Sequence, residues 1–148
     1  NVSFNMSYNH SKEQNWLNWL DDNLLATYER KQRTSVFELE WFKNNQHELR
    51  IKAQLVAFTG RNPTPYLGNE KGKLVPTDIS ISPITISELA FQVRYRYEIM
   101  PLSYLYLVYS KGGRVSANDE EDNLSNLYRR PWNNPEKENF TVKLRYRF

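Results

Sequence analysis

His10 stands next to Ser11 and three residues before Glu13, with Asp21 and Asp22 further along, so the residue types of a Ser–His–acid hydrolase occur near one end of the chain. That chemistry requires the imidazole within hydrogen-bond reach of the hydroxyl and a carboxylate behind it, which nearness in sequence does not provide. The plainer reading of His10 is a solvated loop histidine. The only other histidine, His47, adjoins a polar turn. The run Asp119, Glu120, Glu121, Asp122 offers oxygen ligands to a hard cation but lacks the spaced Asp/Asn-and-Gly pattern of a calcium loop, so a solvated loop is expected. Arg129 and Arg130, before Pro131 and Trp132, have the chemistry to grip lipid phosphates, or to form a plain loop closed by Trp packing. Trp16 and Trp19 could stack on sugars or dip into a membrane interface. With no cysteine among 148 residues, disulfides and thiolate metal sites are excluded. No metal, cofactor or catalytic set is expected.

The elements that must position these groups are strands. Phe140, Val142, Leu144, Tyr146 and Phe148 alternate with Thr141, Lys143, Arg145 and Arg147. The same split separates Val2, Phe4, Met6 and Tyr8 from their neighbours. It separates Leu49, Ile51, Ala53, Leu55 and Ala57 from Glu48, Arg50, Lys52 and Gln54, and Leu89, Phe91, Val93, Tyr95, Tyr97 and Ile99 from Ala90, Gln92, Arg94, Arg96 and Glu98. A fifth strand, Leu25 to Lys43, sets Phe37, Leu39 and Trp41 against Glu38 and Glu40. The sixth, Ser103 to Ser110, is apolar on both faces.

Connections alternate as well. His10 to Leu24, Gly60 to Ile86 and Lys111 to Lys137 read as long loops, whereas Asn44 to Gln46 and Met100 to Leu102 read as tight turns. Long loops at one end and short turns at the other predict an all-β, antiparallel transmembrane β-barrel meander with periplasmic turns and extracellular loops. The low mean hydropathy of -0.77 fits a polar lumen and polar loops, and no apolar run is long enough for a transmembrane helix. The formal charge of +3 is too small to indicate nucleic acid.

In that arrangement Trp41, Tyr95, Tyr97, Tyr146 and Phe148 form an inner aromatic belt and Tyr8, Tyr109 and Phe140 an outer one. The lumen face is expected to carry Glu38, Glu40, Glu48, Arg50, Lys52, Arg94, Arg96, Glu98, Lys143, Arg145 and Arg147, a mildly cationic wall whose mixed signs can pair across strands. Six strands fall short of the eight at which bacterial barrels begin. Either two strands hide in the long loops, or, as the processed-looking start at Asn1 favours, the chain is the C-terminal part of a larger barrel.

Three segments, WFKNNQHELRIKAQLVAF from Trp41 to Phe58, FQVRYRYEIMPLSYLYLVYSKGG from Phe91 to Gly113, and FTVKLRYRF from Phe140 to Phe148, carry a resemblance. Together they resemble the C-terminal barrel of a family of Gram-negative outer-membrane proteins in which a family-nine-type carbohydrate-binding module precedes a barrel of unknown function. The likeness covers the chain from about Leu25 onward, and RYRYE, PLS and LYLVYSKG in that order are its most specific part. It implies upstream strands and a periplasmic or surface module, and it brings no catalytic residues. The alternating aromatic end, Phe140, Leu144, Tyr146 and Phe148, also resembles the signal by which barrel-assembly machinery takes up its clients, in the manner of strand addition.

The sequence therefore predicts a non-enzymatic integral outer-membrane barrel for passage or anchoring. Its expected partners are outer-membrane lipid, lipopolysaccharide, the assembly machinery and possible further envelope proteins. The alternatives are a plugged interaction barrel that anchors a binding module, and a soluble lipocalin-like ligand-binding barrel, which would need eight or more strands and mostly short turns.

Overall fold

A computed structural model describes residues 1–148. The strands follow in chain order as β1 (Val2–Asp21), β2 (Leu24–Phe42), β3 (His47–Gly68), the short β4 (Leu74–Pro76), β5 (Ile84–Met100), β6 (Ser103–Ala117) and β7 (Lys137–Arg145), with one helix, α1 (Leu124–Asn133), before β7. All pairings are antiparallel in the order β1-β2-β3-β5-β6-β7, with β4 added beside β3. The fold is thus all-β and antiparallel, an open meander in which β1 and β7 each keep one unpaired edge. No helix is long and apolar enough to cross a membrane, which says nothing of crossing by strands.

The alternation identified in the sequence sorts every strand onto two faces. One register row runs Val2, Trp41, Leu49, Tyr95, Leu107 and Val142, all apolar or aromatic. The adjacent row runs Ser3, Glu40, Arg50, Arg94, Val108 and Thr141, which is mainly polar. The two tight turns are as expected. In the second, Pro101 supplies the fixed φ, and Leu102 takes the left-handed conformation (φ 67) that the next turn position demands.

The three long loops are corrected. His10 to Asp21 is strand, paired to β2 up to Leu24, so the first connection is only Asp22 and Asn23. β3 continues past Gly60 to Gly68 because Pro63 falls in a bulge between Thr27 and Glu29, where no ladder bond is required of it. β6 continues past Ser110 to Ala117 because its glycines serve close packing, not a turn: Gly113 lies against the backbone of Pro131 and Asn134. β7 starts earlier than expected, at Lys137, and its ladder ends at Arg145.

Two small cores hold the sheet. On the apolar face, Leu127 of α1 is fully buried against Leu55, Ala57 and Leu89. On the other face, Trp16 packs on Tyr28 and Phe58 at ring separations of 6.1 and 5.6 Å, with the Arg30 guanidinium 5.0 Å from the Trp16 ring. A bulge between Glu13 and Trp16 places this Trp inside strand β1, not in a loop. Elsewhere the apolar face stays open: Phe4, Met6, Phe140, Val142 and Leu144 are all largely exposed.

Candidate functional site

A recess shared by five strands marks the polar face as the concave one. This recess, of about 490 Å³, is walled by the sheet alone, with Glu38, Lys52, Gln54, Gln92, Ser110 and Lys137 contributed by five successive strands of the order. Alternation puts these polar side chains on one face, and the curl of the sheet makes them converge.

The charges there form an asymmetric ladder. Across β2, β3 and β5, Arg50 lies 3.4 Å from Glu40 and also bonds Glu48, while Arg96 Nε stands 2.9 Å from Glu48. That last contact is close but not aligned as a hydrogen bond, because the Arg96 guanidinium is drawn over the Tyr104 ring at 5.4 Å. Lys52 closes on Glu38 at 2.7 Å. Arg94 bonds only Gln92, at 3.4 Å. Lys143 and Arg145 on β7 face no carboxylate, and neither does Arg147, whose N–H donates to the buried Ser103 hydroxyl at 3.0 Å. The β2–β3 side is therefore neutralised by cross-strand pairs, and the β5–β7 side is left cationic. Glu98, at the turn end of β5, is in no ion pair.

Aromatic residues on the opposite face lie along two oblique lines. From Trp41 the register row reaches Tyr95 after two strands and Val142 after four; Tyr97 and Tyr146 lie two and four residues nearer the turn end. From Tyr8 the row passes Leu89 after three strands and Gly113 after four; Phe91 and Tyr109 lie two and four residues nearer the same end, with Phe140 paired to Tyr109. Both lines therefore slip by about one residue per strand. A step of about 3.3 Å along for about 4.8 Å across corresponds to a slant near 35°. His47, expected simply as a turn neighbour, stacks on Tyr97 at 4.8 Å and reaches the Tyr95 hydroxyl at 2.6 Å.

The acidic run and the Arg-Arg-Pro-Trp segment, both expected as loop, build one device. Asn123 caps α1 by accepting from the Ser125 N–H, and Leu124, Leu127, Tyr128, Pro131 and Trp132 form its inward stripe. The acids face side-chain cations of this chain: Asp122 receives Lys31 at 2.9 Å, Arg61 at 2.8 Å and Arg33, and Arg130 bridges Asp119 and Glu121. The Lys31 hydrogen bond first, then Arg33, holds the Asp122 carboxyl far below the usual range. Arg130 lowers that of Asp119, and the Asn123 N–H that of Glu121. Two buried threonines fasten the segment to the sheet: Thr59 donates to the Glu121 carbonyl at 2.7 Å and Thr85 to that of Asp119 at 2.8 Å. Arg130 is thereby engaged, whereas Arg129 is exposed and unpaired.

The hydrolase set is not assembled. His10 and Ser11 are successive strand residues on opposite faces, and Asp21 lies eleven residues further along β1, on the order of 35 Å. Comparison with known protein families, with curated proteins and with solved structures finds no match.

Proposed function

We propose that this chain forms part of an integral outer-membrane β-barrel, non-enzymatic, whose concave polar face lines a lumen for passage of solutes. The observation that carries this reading is the slant of the two aromatic lines, near the 35–45° at which strands of membrane barrels tilt, so that both lines become level when the strands are tilted. Level aromatic lines on an exposed apolar face are what headgroup anchoring requires. The apolar stretches Leu49–Ala57 and Phe140–Phe148 each span eight residue steps, about 22 Å along the normal at that tilt, close to the roughly 25 Å apolar band of such barrels.

A lipocalin-like barrel fits less well, because it keeps its apolar face inside, whereas here the concave face is charged. Closure needs more than six meander strands, and the free edges of β1 and β7 run antiparallel with matching faces, so further strands can complete the circle. The family resemblance would supply them upstream, together with a carbohydrate-binding module. The same free edges support a second reading, an interaction barrel that anchors such a module or joins an envelope partner. The test is conductance of the full-length protein in planar bilayers. Arg94→Glu, alone and with Arg96→Glu, should turn its preference from anions toward cations; a sealed barrel would overturn passage and leave anchoring.

A further inference from the structure

We propose that the groove between α1 and the apolar face of the sheet is a site for a phosphorylated, acylated sugar lipid of the outer leaflet, the lipid anchor of lipopolysaccharide. This rests on the membrane-barrel reading. The groove, about 640 Å³, is walled by Tyr8, Phe37 and Phe91 of the sheet and by Leu124, Tyr128 and Trp132 of the helix, with almost no polar lining. Tyr8 and Phe91 belong to the outer aromatic line, so in the membrane the groove opens at the height where acyl chains meet headgroups. Trp132 packs edge-on to Phe91 at 5.3 Å and carries Lys111 over its ring at 4.7 Å.

Charge identifies the occupant. Two residues beyond Tyr8 and Ser35, about 7 Å along the strands, the same face turns cationic: His10 faces Arg33 and Lys12 faces Lys31 across the β1–β2 ladder. Like charges set directly opposite destabilise a sheet unless an anion lies between them. Asp122 is the sole carboxylate bonded to Lys31 and Arg33, and it is shared with Arg61. Glu120 and Glu29 neighbour Arg61, at 3.6 Å and as its register partner, so these acids and the three bases they meet balance. Lys12 and the helix residue Arg129 are in no ion pair, and since Arg130 meets the two acids Asp119 and Glu121, the whole set carries one cation in excess. An apolar groove with the unpaired Lys12 four residues beyond Tyr8 on the same strand face, and Arg129 on the helix that walls it, fits acyl chains below and phosphate above. A neutral lipid would leave those cations unanswered.

The test is native mass spectrometry of the full-length protein with added lipid A, with its dephosphorylated form and with phosphatidylglycerol. Lipid A should bind about tenfold more tightly than either, and Lys12→Glu with Arg129→Glu should remove that margin. Leu124→Gln should weaken all three lipids together. Heat-modifiable migration on a gel verifies that each variant is folded. A protein that never enters bilayers would overturn the barrel reading itself. One that inserts, yet holds the three lipids equally or is indifferent to the charge reversals, would overturn only the lipid site.

Discussion

Gly113 lies so close beneath Pro131 that a β-carbon added to it would come within 2.5 Å of the Pro131 carbonyl oxygen and 2.8 Å of that of Asn134. Both obstacles are backbone, so neither can swing aside, and the C-terminal half of α1 rests on β6 only because this residue has no side chain. Gly113→Val should therefore lift the helix, at a cost on the order of 1–3 kcal/mol to its docking. Hydrogen exchange should quicken at the Leu127 and Tyr128 amides while the β5–β6 ladder stays protected. Gly112→Ala, whose nearest obstacle is at 3.4 Å, is the tolerated control.

The strands were legible wherever one face is apolar over several turns of the alternation, as in Leu49–Ala57 and Phe140–Phe148. The polar-face residues from Glu38 to Arg145 follow from the same alternation. Legibility failed in the outer halves. From His10 to Gln14 both faces of β1 are polar, and Asn15 adopts a positive φ at a bulge, so the period is erased even though His10 to Glu13 all pair with β2. Gly112, Gly113, Pro63 and Pro65 punctuate a sequence in the manner of loops, yet here they serve close packing and a bulge. The helix had a signal: Leu124, Leu127, Tyr128, Pro131 and Trp132 stand at helical spacing behind an Asn cap, masked by a proline late in the helix, where it forgoes the bond to the Leu127 carbonyl. That Asp122 and Glu120 meet cations from β2 and β3 depends on contacts of up to 91 residues in separation, which no local pattern encodes.

Leu144 and Arg145 are neighbours on β7 with opposite faces, and both are exposed in the open sheet. If the apolar face meets lipid, Leu144→Arg should cost about 2–4 kcal/mol of folding free energy near the bilayer midplane, while Arg145→Leu is tolerated far better. Urea titration of the full-length protein in vesicles reads the difference. Equal sensitivity at the two positions would falsify the assignment of faces.

Glu48 is the pivot of the polar ladder, its side chain only 12% exposed between Arg50 and Arg96. Glu48→Gln leaves two guanidinium groups without their shared carboxylate. Both are partly solvated and can turn to water, so the loss should be about 1–2 kcal/mol, below that of a fully buried pair. The change also removes a negative charge from the concave face, so anion preference in bilayers should rise. In a double-mutant cycle with Arg96→Gln, the two losses should fail to add by about 0.5 kcal/mol or more.

Asp122 connects α1 to the sheet through Lys31, Arg33 and Arg61, and its carboxyl is held far below the ordinary range near 3.9. A carboxyl depressed in the folded state contributes its full share above the unfolded value and loses it only as pH falls toward the folded one. Docking of α1 should thus be indifferent to pH from 7 down to about 4 and weaken progressively below that. Asp119 and Glu121, depressed as well, reinforce the same direction. Asp122→Asn should loosen the helix at neutral pH and flatten most of the acid dependence. Exchange rates of the α1 amides, followed between pH 7 and 3, distinguish the two cases: an unchanged acid profile in Asp122→Asn would mean that the anchoring lies with the Thr59 and Thr85 hydrogen bonds instead.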